Sequence, residues 1–133
     1  MFRVLATSGI ALFAAGCSSG SGGVASAPAA STPAATAAFR APQIMRGSGL
    51  DSVIGERAGT LARRFGEARI DLAEGDARKL QYVSDACVLD IYLYPLSANA
   101  DPVATHVEAR ARQGGAPADR AYCIAEVESQ ARS

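Results

Sequence analysis

Residues 18 to 42 read SSGSGGVASAPAASTPAATAAFRAP, and this stretch decides how much of the chain can fold. It holds almost no large apolar side chain, so ordering it would cost more conformational entropy than burial returns. Nearly every charge in the 133 residues lies beyond Arg46. One small domain is therefore the most the sequence can build. A linker of this composition holds a domain at a mean distance of roughly 25–30 Å from its other end. Phe39, Ile44 and Met45 are the only residues here able to anchor the alternative, a segment that folds onto a partner. Trp is absent and the formal net charge is zero. The core must come from Leu, Ile, Val, Ala and a few Tyr and Phe. The charge balance gives no electrostatic reason to expect nucleic acid as a partner, because a duplex binder needs a concentrated basic face.

The start of the chain carries a different signal. Arg3 is followed by VLATSGIALFAA, residues 4 to 15, with no charge in it. As a helix that run rises about 18 Å, against a bilayer core of about 30 Å, so it suits the apolar region of an export signal better than a membrane span. The alternative, a buried N-terminal helix, has nothing next to it to pack on. AAGC, residues 14 to 17, resembles the lipobox of bacterial lipoproteins, in which small residues precede a cysteine that is acylated and becomes the new N-terminus. The resemblance implies a signal peptide over 1–16, lipidation at Cys17, a tether over 17–47 and a domain over 48–133. Ala14 stands where the family usually has Leu. A rival reading is an ordinary signal peptide cut near ASA, residues 25 to 27, which leaves no lipid. Ser18 follows the cysteine where Asp would signal retention, so the family pattern implies the outer membrane, facing the periplasm, as the location. Several acyl chains, such as palmitate, are needed to anchor stably.

Beyond Leu50 the pattern becomes periodic. Leu50, Val53 and Ile54 predict one or two helical turns ended by Gly55; Ala58, Leu61, Ala62 and Phe65 predict a firmer helix closed by Gly66. Gly59 within it costs about 1 kcal/mol of propensity and points to a close approach by another element. The period then drops to two. Ile70 and Leu72, then Leu80 and Tyr82, predict a hairpin turning through Glu74-Gly75-Asp76. CVLDIYLYP alternates Cys87, Leu89, Ile91 and Leu93 with Val88, Asp90, Tyr92 and Tyr94. VATHVEARAR sets Val103, Thr105, Val107 and Ala109 against Ala104, His106, Glu108 and Arg110. Pro117 opens a last helix with Cys123, Ile124 and Val127 on one side. The predicted fold is α+β: a short helix pair packed on a four-stranded antiparallel meander sheet, plus a C-terminal helix, with helices on one side of the sheet.

Cys87 heads the central strand on its apolar face, and Cys123 lies on the apolar side of the last helix. In an exported chain the pair is expected to form a disulfide; two buried free thiols are the alternative. No metal site or cofactor is expected, since no CxxC exists and the sole histidine, His106, is on a wet face. Asp71, Glu74 and Asp76 lack calcium-loop spacing. With no nucleophile and base in a recognisable pattern, the chain reads as non-enzymatic. The surface of most interest is Tyr92 and Tyr94 beside His106 and Arg110, an aromatic patch near a cation that suits protein contact. Equally open at this level is that the C-terminal helix or a loop covers the tyrosines.

Residues 53 to 82, VIGERAGTLARRFGEARIDLAEGDARKLQY, resemble the opening of the SmpA/OmlA (BamE-like) family, small lipoproteins of the outer-membrane β-barrel assembly machinery. The matching positions are Gly55, Leu61, Phe65, Gly66 and Tyr82. The family's Pro after the second Gly is replaced by Glu67-Ala68, and its Trp-x-Tyr by Leu80-Gln81-Tyr82; the cysteine pair and terminal helix lie outside the pattern. The resemblance implies an outer-membrane lipoprotein, held to the membrane through Cys17, whose module contacts an envelope protein partner as an assembly accessory. The same architecture occurs in secreted inhibitors, which makes an inhibitor-like or ligand-binding module the alternative.

Overall fold

The computed structural model describes residues 38–133, so the signal segment, Cys17 and most of the tether lie outside the described residues. The elements run α1 (Ala58–Phe65), β1 (Ile70–Glu74), β2 (Ala77–Val83), β3 (Cys87–Tyr94), β4 (Val103–Ala111) and α2 (Arg120–Ala131). The strands form one antiparallel sheet in the order β1-β2-β3-β4. Among the described residues, no helix is long and apolar enough to cross a membrane.

One face of the sheet carries Leu80, Tyr82, Cys87, Leu89, Ile91, Leu93, Ala104 and Val107. These pack on Leu50, Val53, Leu61 and Phe65 from the N-terminal part and on Cys123, Ile124 and Val127 of α2. Leu89, Ile91 and Leu93 are fully buried, and burial of each contributes on the order of 1.5–3 kcal/mol. Phe65 meets Tyr82 with ring centroids 5.2 Å apart. Arg64 ties α1 to α2 by donating to Glu128 Oε2 at 2.8 Å and also reaches Ser52 O at 2.6 Å. Both helices thus share the inner side, and the α+β architecture is as the periodicity predicts.

One local feature falls within the sequence expectation of one or two turns ended by Gly55, and three others differ from what the sequence predicts. The first member of the expected helix pair is a single turn: Ile54 N donates to Leu50 O at 2.9 Å, but Gly55 N turns to Ala104 O at 2.8 Å and Glu56 O accepts from Ala104 N, so the chain joins β4 instead of continuing. Gly55, at φ +88°, makes that exit. In α1, Leu61 and Phe65 are buried while Ala62 faces solvent. Gly59 has no close neighbour from another element; a Cβ there would meet only the Arg63 guanidinium at 3.7 Å. Pro117 bridges Arg110 beside β4, and α2 starts later, at Arg120, where the Asp119 carboxylate caps it by accepting from Tyr122 N at 2.7 Å.

The remaining difference is one of register. Tyr92 faces His106, but the next residue, Leu93, faces Ala104, so Thr105 is an extra residue in β4. Such a bulge reverses the alternation beyond it. Val107 stays inward as expected; Ala104 replaces Val103 in the core, and Val103 sits opposite Tyr94. Met45 N donates to Thr105 O at 2.7 Å and Met45 packs against the core, so this residue of the expected tether is held against the domain.

Candidate functional site

The outer face of the sheet follows from the parity of the first hairpin. Glu74 pairs with Ala77, leaving a two-residue turn whose first residue, Gly75, takes the positive φ (+57°) that such turns need. Across that turn, Ile70 faces Gln81 and Leu72 faces Lys79. The apolar residues of β1 therefore lie on the face opposite Leu80 and Tyr82. Two rows cross all four strands on this outer side: Leu72, Lys79, Tyr92 and His106, then Ile70, Gln81, Asp90 and Glu108. Val88 and Arg110 begin a third.

Asp90 is the centre of this face. It is only 4% exposed, although neither helix covers it, because long neighbours close over it. Gln81 Nε2 donates to its Oδ1 at 2.7 Å, Lys79 Nζ lies 3.1 Å from the same oxygen, and Arg110 Nη2 lies 3.5 Å from Oδ2. A buried carboxylate needs such partners to remain charged. Burial works against the Lys79 ammonium, but the hydrogen bond and charge of Asp90, helped by Tyr92, outweigh it and hold the lysine pKa above its ordinary value.

The aromatic part adjoins this cluster. Tyr92 and His106 lie with ring centroids 5.7 Å apart, and Lys79 Nζ sits 5.2 Å from the Tyr92 centroid, within cation–π range. The Tyr92 hydroxyl donates to Glu108 Oε2 at 3.2 Å, and His106 Nε2 is 3.4 Å from Glu108 Oε1. Burial pushes the Tyr92 hydroxyl pKa up against the opposing effect of Lys79, and Glu108 adds to the rise.

Tyr92, His106 and Arg110 are thus brought to one face, as their alternation predicts, and α2 does not cover them. Tyr94 stands apart from the cluster. It is half-buried at the loop end of the sheet, where it lines a cleft of about 360 Å³ with Phe39, Pro42, Glu74 and Pro95. A neighbouring cleft of about 410 Å³ is lined by Phe39, Asp76, Pro95, Asn99 and Pro102. Sequence reasoning missed Ile70, Leu72, Lys79 and Gln81 as members of the face. The two-residue turn was the signal that places them, since it forces β1 and β2 residues of opposite parity onto one side.

On the inner side Cys87 and Cys123 form a disulfide with Cα atoms 5.9 Å apart, as expected from their positions. Among the described residues no group of three or more His, Cys, Asp or Glu side chains is placed to hold a metal ion. Compared with protein-family models, curated proteins and solved structures, the chain finds no match, so the likeness to the SmpA/OmlA family rests on the quoted residues alone.

Proposed function

We propose that the chain is an outer-membrane lipoprotein, acylated at Cys17, whose folded module is a non-enzymatic binding domain for an envelope protein. The observation that carries this reading is the outer sheet face. It is a contiguous surface in which half-exposed Ile70 and Leu72 share a face with the Tyr92–His106 pair and an ion-paired Lys79–Asp90–Arg110 cluster, with both helices on the other side. Aromatic and arginine side chains beside apolar ones are the composition from which protein contacts draw most of their energy. The sequence resemblance adds β-barrel assembly as the process this module serves.

Two measurements test the reading. Intact mass of the membrane-extracted protein should show a mature chain beginning at Cys17 with added acyl chains; a species beginning near residue 28 without lipid refutes the anchor. A photo-crosslinking side chain placed at Tyr92 should capture barrel-assembly proteins. Capture of a single enzyme would replace that role with the inhibitor-like one, and no capture would refute the face as a binding surface.

A further inference from the structure

The two edges of the sheet are finished differently. Along β4, backbone or side-chain partners follow one another: Arg57 bridges Val103, Glu56 O accepts from Ala104 N, Met45 N donates to Thr105 O, Arg120 Nε donates to Val107 O at 2.9 Å, and Pro117 bridges Arg110. β1 pairs with β2 alone among the described residues, and all five of its residues are exposed. Open edges are commonly blunted by an unpaired inward charge. The inward charge here, Asp71, is matched within the hairpin: Arg78 Nε and Nη2 donate to its two oxygens at 2.7 and 2.6 Å. That hydrogen bonding holds the Asp71 carboxyl below its ordinary pKa.

We propose that β1 pairs antiparallel with β1 of a second copy of this chain, about a two-fold axis at Leu72, joining two four-stranded sheets into one of eight strands. In a two-residue hairpin the closing pair exchanges both its hydrogen bonds. Glu74, Leu72 and Ile70 therefore turn their backbone groups toward β2, while Asp71 and Ala73 turn theirs outward. A two-fold perpendicular to the sheet keeps both outer faces on one side and allows registers centred on a residue. Centred on Asp71, it sets two carboxylates directly opposite, which is unfavourable. Centred on Leu72, it faces Asp71 with Ala73 of the second copy, and every residue from Ile70 to Glu74 gains a partner.

That register also matches the side chains. Leu72 meets Leu72 of the second copy, with each Ile70 diagonal to it, so the most exposed apolar residues of the outer face (Ile70 43%, Leu72 46%) cover one another. Arg69 at one end of β1, and Glu74 and Asp76 at the other, form no ion pair among the described residues. The two-fold brings Arg69 of each copy beside the Glu74–Asp76 turn of the other. Strand β1 is thus complementary in charge and apolarity to itself, which favours a second copy over an unrelated extended peptide. The rows through Tyr92 and Asp90 then run unbroken across both copies.

The test is a cysteine placed on the axis, in the full chain within cells, with the unsubstituted chain setting the background from Cys17. Leu72→Cys should give a disulfide-linked dimer, because facing Cα atoms in a pair without hydrogen bonds lie about 4.5 Å apart. Glu74→Cys should not, since its counterpart is four residues away, about 13 Å. In the Leu72→Cys chain, Arg69→Glu should lower the dimer yield about fivefold, and adding Glu74→Arg should restore it. A monomer at Leu72→Cys, equal yields at both positions, or a crosslinked product whose mass is not twice the chain overturns the pairing. The crosslink is read whether or not Cys17 is acylated, so failure of the anchor and failure of the pairing are separate results.

Discussion

Asp90 lies in the strand pattern as one more polar residue on a wet face, yet it behaves as a buried ion. Gln81, 9% exposed, has its amide committed to the Asp90 carboxylate. Asp90→Ala leaves that amide unsatisfied and should destabilise the fold by about 1–3 kcal/mol, measured by chemical denaturation. Adding Gln81→Leu should recover part of the loss, because the orphaned donor goes with it. Tyr82 presents the reverse case. Its hydroxyl is buried with no hydrogen-bond partner among the described residues, and burial, with the Asp71 charge adding, pushes its pKa up to about 12. In the unfolded chain it should ionise near an ordinary value of about 10. A group with a raised folded pKa stabilises the fold fully below its unfolded pKa and loses that contribution as pH rises through the folded one. Stability should therefore fall between about pH 10 and 12, and Tyr82→Phe should flatten the fall while costing little at neutral pH. Tyrosinate absorbance during alkaline unfolding checks both statements.

At the scale of elements, two glycines that look alike in sequence do different things. Gly49, at φ +76°, passes so close to α2 that a Cβ would lie 2.4 Å from the Ala121 Cβ. Gly49→Ala should cost about 1–3 kcal/mol through overpacking and a strained backbone. Gly59 lies in α1 with open space beyond the Arg63 side chain, so Gly59→Ala should add up to about 1 kcal/mol from helix propensity. Thermal unfolding of the two variants should move in opposite directions. The hairpin shows the same dependence on local chemistry. Its alternation marks two strands, but the face each presents depends on whether the turn has two residues or three. Ile70 and Leu72 look like core residues by composition and become surface residues by parity.

For the whole molecule, the disulfide is the main covalent link between layers. It joins the first residue of β3 to α2 across a sequence separation of 36. Replacing both cysteines with alanine should cost about 4 kcal/mol in the chain-entropy model, a large share of the stability of a domain this small. A lower urea midpoint with a steeper slope, because the unlinked unfolded chain is more expanded, would report that loss. Both sulfurs are inaccessible, so reduction should need opening of the fold and should slow when denaturant is withheld. The sheet is asymmetric in a second way: its inner face is covered and one edge sealed, while among the described residues neither helix covers the outer face and the β1 edge has no further strand partner. Those are the surfaces on which the proposed binding and pairing depend.

Residue order alone determined the α+β class, the four-strand count, the extent of α1, the cysteine pair and the Tyr92–His106–Arg110 face, because each rests on side-chain periodicity or residue type within a few neighbours. Tertiary structure alone decided three other things. Thr105 bulges, which exchanges Val103 for Ala104 in the core. Pro117 lies along β4 instead of opening α2. Asp90 is buried by the long side chains that close over it. Each outcome depends on which backbone or side chain arrives from a distant part of the chain, and a local pattern carries no information about that arrival.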